Sequence, residues 1–124
     1  MQNLAPLANK DEAVLTKATF RAAERLGLSQ SLLATVLGIS PASVSRMRDG
    51  RYVLRQDQKE FELGAWLVRV YRSLDAITGG DARVTAQWMK TPNTGLHGTP
   101  AEMITTIAGL ADVVAYLDSR RAVL

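Results

Sequence analysis

The stretch SQSLLATVLGISPASVSRMR, residues 29–48, decides the fold. Counted from Gln30, Ala34 takes the fifth place and Gly38 the ninth. Leu33, Leu37, Ile39, Val44 and Met47 take the fourth, eighth, tenth, fifteenth and eighteenth. Each choice has a physical reason. A small residue at Ala34 lets two short helices cross closely. Gly38 enters the left-handed conformation of a tight turn without a Cβ penalty. Ser40 and Pro41 form an N-cap and first-turn pair that restarts a helix at a sharp angle. The spaced apolar residues tie both helices to a third. The pattern reads as a helix-turn-helix, with helices over Gln30–Leu37 and Pro41–Arg48 and a stop at Gly50.

The charge distribution agrees. The formal net charge is only +3. Residues 17–55 nevertheless carry Lys17, Arg21, Arg25, Arg46, Arg48, Arg51 and Arg55 against Glu24 and Asp49 alone, whereas residues 73–124 carry slightly more acid than base. Positive charge concentrated on a helix-turn-helix suits contact with a phosphate backbone. In such a docking the second helix enters the major groove, with Ala42, Ser43, Ser45 and Arg46 outward and Val44 and Met47 inward. Arg46 is the expected base reader, because a guanidinium bonds both acceptors of a guanine edge. Ser43 and Ser45 suit bases or phosphates, and Ala42 a thymine methyl. Gln30 and Ser40 stand at helix N-termini, which favour anions. Arg48, Arg51 and Arg55 add backbone contacts.

Working outward, residues 1–10 are read as a loose arm, and a first helix spans about Asp11–Leu26 with Val14, Leu15, Ala18, Ala22 and Leu26 on its apolar face. A long helix follows over about Arg55–Thr78. Leu63–Tyr71 is apolar around most of its circumference, which places this helix between two halves or at a dimer interface, with Trp66 and Tyr71 as core or interface residues. Gly79-Gly80 is a hinge; nothing around it supports a phosphate loop. Asp81 caps a helix bearing Val84, Gln87, Trp88 and Met89. After the loop Thr91–Gly98, Thr99-Pro100-Ala101-Glu102 reads as a capping box opening a helix with Met103, Ile104 and Ile107. Gly109 relaxes it, and Leu110, Val113, Val114 and Leu117 stripe the last helix. No strand-like alternation occurs, so an all-α fold is expected.

Composition narrows the function classes. The 124 residues are 47% hydrophobic and 22% charged, as in a folded domain, and cysteine is absent, which removes disulfides and thiolate zinc sites. No apolar run reaches bilayer length and no signal-peptide pattern opens the sequence; a cytoplasmic location is the expectation. The single histidine, His97, lies in a glycine-flanked loop with no carboxylate beside it. No metal site, no cofactor and no enzymatic activity are expected.

The two halves together resemble the Xre/MbcA/ParS-type antitoxins. The front carries the helix-turn-helix closing in SRMRDGRY. The back carries Trp88, Pro92-Asn93, Leu96 and Gly98-Thr99-Pro100, then Gly109, Val113 and Leu117. The resemblance implies a partner toxin encoded beside the gene, often an NAD-consuming RES-domain protein, held by a C-terminal domain that can cover the toxin's active-site entrance. It further implies a homodimer that binds operator DNA and represses its own operon. Under it the chain divides into arm and helix-turn-helix (1–54), connecting or dimerisation helix (55–80) and toxin-binding domain (81–124). Trp88, Asp118, Arg120, Arg121 and Leu124 are the expected toxin contacts. The alternative is a stand-alone repressor whose C-terminal half dimerises or senses a ligand.

Overall fold

The computed structural model describes residues 9–122. Seven helices follow one another: α1 (Lys10–Arg25), α2 (Gln30–Leu37), α3 (Pro41–Arg48), α4 (Lys59–Thr78), α5 (Ala82–Lys90), α6 (Pro100–Met103) and α7 (Ile107–Ala122). The all-α expectation holds among the described residues, where Asn93 and Gly98 make one isolated bridge and no strand forms. Helix α4 is the axis of the fold. It packs most extensively on α1 and α7 and touches α2 and α5 as well. Leu67, Val70 and Leu74 of α4 join Leu26, Leu33, Leu37, Val44, Leu110, Val113 and Leu117 in one continuous core. Burying each such side chain contributes roughly 1.5–3 kcal/mol.

The first helix departs from expectation in its buried face. Asn9 caps it, accepting from the Glu12 backbone N–H while Glu12 accepts from the Asn9 N–H, a reciprocal capping box that starts the helix at Lys10, one residue before the expected Asp11. Val14 is 60% exposed rather than apolar-face. The buried stripe runs through Glu12, Thr16, Thr19, Ala22 and Ala23. Polar groups are tolerated there because the chain between α3 and α4 supplies their partners. The Leu54 N–H donates to Thr16 Oγ1 at 2.9 Å, and the Gln56 N–H donates to Glu12 Oε2 at 2.8 Å. Those bonds tie down the chain after α3, which turns at residues 56–57, so α4 starts at Lys59 and not at Arg55. The Gln56 N–H above all, then the Asn9 N–H and the Arg55 guanidinium, hold the Glu12 carboxyl below its usual range against the cost of its burial.

The capping box expected at Thr99–Glu102 does not form. Thr99 makes no side-chain cap, and α6 is a single turn. Thr106 instead accepts from the Gly109 N–H at 3.0 Å and starts α7. Gly109 is therefore not a relaxation within a helix. A Cβ there would run into the Met103 carbonyl, so glycine permits the close turn between α6 and α7. Trp66, expected in a core or interface, is 36% exposed.

Candidate nucleic-acid and partner interfaces

Ser29 caps α2 by accepting from the Leu32 N–H, and Gly38 ends it at φ +71°, closing the turn. Ser40 then accepts from the Ser43 N–H at 3.0 Å and Pro41 opens α3. Ala34, Val44 and Met47 are buried, so the other side of α3 faces outward with Ala42, Arg46 and Arg48 exposed.

Ser43 is the correction on this surface. Expected to point outward, it is buried. Its hydroxyl accepts from Ser40 Oγ and from Arg46 Nη2, both at 3.0 Å. Three residues at helical spacing thus form a relay that fixes the Arg46 guanidinium on the exposed face while its other N–H groups stay available. Ser45 is half-buried and reaches Gln30 Oε1 at 3.5 Å, linking α3 to the start of α2.

Past the end of α3, Asp49 bridges two cations: Arg48 Nε at 3.1 Å and Arg51 Nη2 at 3.3 Å. The Arg48 and then the Arg51 bond hold its carboxyl below the usual aspartate range. Tyr52 follows, its hydroxyl donating to the Glu60 carboxylate at 2.7 and 2.9 Å. Burial first, and the Glu60 acceptor second, push the phenol up to about 12. Arg55 is drawn back to Glu12 at 3.4 Å, and so does not reach outward as a simple backbone contact.

The C-terminal half carries a second cluster. Trp88 of α5 stacks on Tyr116 of α7 with ring centroids 6.4 Å apart, and the Arg120 guanidinium lies 5.0 Å over the Tyr116 ring. Such stacking holds an exposed cation in place. Together with Leu74, Ile77 and Leu117 these three line a groove of about 240 Å³. Asp118 is turned away from that group. Both its oxygens meet the Arg69 guanidinium of α4, and one accepts from Ser73 Oγ at 3.3 Å. Arg121 Nη1 reaches the same Ser73 hydroxyl at 3.5 Å. Of the expected partner contacts, then, Trp88 and Arg120 come together, while Asp118 and Arg121 join a separate cluster on α4. Leu124 lies outside the described residues. His97 is exposed at φ +59° in the loop between α5 and α6, and no group of three metal-binding side chains occurs among the described residues.

Sequence reasoning missed Tyr116, Arg69, Ser73 and the bridging role of Asp49. The Ser40, Ser43, Arg46 spacing of three was the one local sign of the relay. Asp118 and Arg69 stand 49 residues apart, and nothing local connects them.

Residues 8–69 match the antitoxin Xre-like helix-turn-helix domain, and residues 73–122 match the antitoxin Xre/MbcA/ParS C-terminal toxin-binding domain. No curated protein matches the chain. No helix among the described residues is long and apolar enough to cross a membrane.

Proposed function

The chain belongs to the Xre/MbcA/ParS-type antitoxins, and we propose that it neutralises an NAD-consuming RES-domain toxin encoded by the adjacent gene and represses its own operon as a homodimer. The observation that carries this reading is the succession of two matched domains in one chain, helix-turn-helix then toxin-binding. The choice of a RES-domain toxin rests on the resemblance of the Trp88 to Leu117 motif. NAD would be the toxin's substrate.

On DNA, α3 lies in the major groove with Arg46 reading a guanine and Ala42 meeting a thymine methyl. Ser43 supports Arg46 rather than touching a base, and Ser45 and Gln30 line the adjoining edge. Ser40, Arg48 and Arg51 face phosphates. A helix this short, with one large polar reader, gives useful specificity when two copies occupy half-sites about one turn apart. Toward the toxin, the exposed Arg120, backed by Tyr116 and Trp88, offers a fixed cation for an anion-accepting cleft. Arg121 and Leu124 continue that edge in sequence, and Asp118 contributes by fixing α7 on α4.

The test is co-expression of the full chain with the neighbouring gene product, read by growth and co-purification. Wild type and Arg46→Ala should both rescue growth, while Arg120→Glu should fail to do so. On operator DNA, Arg46→Ala should cost about 1–3 kcal/mol at one base pair, whereas Arg51→Ala should weaken all sequences alike. A neighbour that is harmless and never co-purifies would leave a stand-alone repressor as the better account.

A further inference from the structure

Helix α3 packs on α2 and α1, and its end is fastened by ties of two kinds. The first is in the backbone. The Gly50 N–H donates to the Met47 carbonyl at 3.1 Å, and the Arg51 N–H donates to the Arg46 carbonyl at 2.7 Å. These are the paired bonds of a glycine-stopped helix, and they hold the Arg46 peptide against the residue before Tyr52. The second tie is a side chain. The Tyr52 ring packs half-buried against the core, and its hydroxyl donates to the Glu60 carboxylate, on the first turn of α4, at 2.7 and 2.9 Å. Arg46 stands close enough for its charge to oppose the rise of the Tyr52 phenol. Glu60, Tyr52 and Arg46 thus succeed one another from α4 to the exposed face of α3.

Ordinary structural needs explain less than this arrangement shows. A half-buried hydroxyl needs an acceptor, but water or a neutral amide meets that need. An acid in the first turn suits the helix dipole, and Glu62 already supplies one. Glu60 is instead linked through Tyr52 to the surface proposed for phosphate, where a carboxylate repels the ligand. The compensating gain is one of aim. Hydrogen bonds to a base edge weaken steeply once donor and acceptor tilt out of line, whereas a charge contact to phosphate depends mainly on distance. A small tilt of α3 therefore costs base reading more than it costs backbone attraction.

We propose that Tyr52 and Glu60 are positioning residues for base reading: their bond sets the end of α3 on α4, and so the angle at which Arg46 meets a base edge. The inference rests on α3 as the reading helix in the function proposed above. Neither residue touches DNA in it; both act through Arg46.

The experiment is fluorescence anisotropy of the full chain on two labelled duplexes, one selected by the wild type from a random pool and one of random sequence. Tyr52→Phe keeps the ring and its packing but removes the donor. It should weaken selected-duplex binding about tenfold and leave random-duplex binding unchanged. Glu60→Ala removes the acceptor and should lose the same discrimination. The double variant of Tyr52→Phe and Glu60→Ala should lose no more, because a single bond is removed once. Glu60→Gln offers the phenol a neutral acceptor. It should keep the discrimination while binding random duplex about threefold more tightly, since the repulsion is gone. Every variant is read below its melting temperature, so a loss of stability alone does not move the ratio of the two affinities. Equal losses on both duplexes, or a Tyr52→Phe variant that discriminates as wild type does, would overturn the proposal and leave the bond a matter of stability. A wild type that selects no sequence would remove the reading helix itself, whatever the variants do.

Discussion

Helix α4 meets α1 and α7 through opposite materials. Toward α1 it brings Gly64 close to Thr19 and Leu54, and the α1 stripe beneath includes Glu12, Thr16 and Thr19. The Thr19 hydroxyl is buried with no hydrogen-bond partner among the described residues. Toward α7 the buried stripe is Leu110, Val113, Val114 and Leu117, with the Arg69–Asp118 pair and Ser73 at its edge. One contact is specified by closeness, and the other by apolar volume with a hydrogen-bonded edge. The difference teaches that a single central helix can bind two halves by different rules. Addition of atoms should break the first, and removal of atoms the second.

The largest effect is expected from Leu117→Ala. It removes a fully buried side chain from the α7 stripe and should lower unfolding free energy by about 2–5 kcal/mol in urea titration. Gly64→Ala tests the other side. Its added carbon would stand 2.8 Å from Thr19 Oγ1 and 2.9 Å from Leu54 Cδ1, and such overpacking costs about 1–3 kcal/mol. If Gly64→Ala proved neutral while Leu117→Ala behaved as expected, closeness would not be what specifies the α1 contact.

Acid titration sharpens the contrast further. Glu12 has a carboxyl pKa depressed below the usual 4.5 by the fold. Its stabilisation is therefore fully present above that value and is lost as pH falls through the lowered folded value. The melting temperatures of wild type and Glu12→Gln should be furthest apart near neutrality and converge below pH 4.5. A gap that stayed constant with pH would mean that Glu12 acts by shape alone. The smallest effect is expected from Asp118→Asn. Its ion pair with Arg69 is solvent-exposed, so the loss should stay below about 1 kcal/mol and shrink further in high salt.

The same contrast explains what could be read from residues alone. On α7 the positions 110, 113, 114 and 117 are all apolar, so helical period and polarity agree and the stripe is legible. On α1 the period persists through 12, 16 and 19, but those residues are Glu, Thr and Thr. Their partners arrive from a segment some 38 to 44 residues away, and no local pattern shows this. The helix-turn-helix was legible because each constraint on it, cap, turn and small crossing residue, acts within a few residues. Its one error, Ser43, came from treating every polar residue of α3 as outward, when a serine three places before an arginine can turn inward to hold it. Trp88 and Arg120 stood out by type, yet the Tyr116 ring that joins them looked like ordinary stripe filling.

Asp49 has one more consequence. An arginine on a free protein ordinarily sits opposite a DNA phosphate whose condensed sodium or potassium ion is expelled on contact, and that expulsion makes affinity fall as salt rises. Arg48 and Arg51 already share a carboxylate tethered to the same chain. On meeting phosphate as proposed, they would exchange one fixed anion for another, and the net charge delivered per arginine would be about half. Operator binding would then be less sensitive to ionic strength than the number of arginines around α3 suggests, an insulation against cellular salt that depends on a single aspartate.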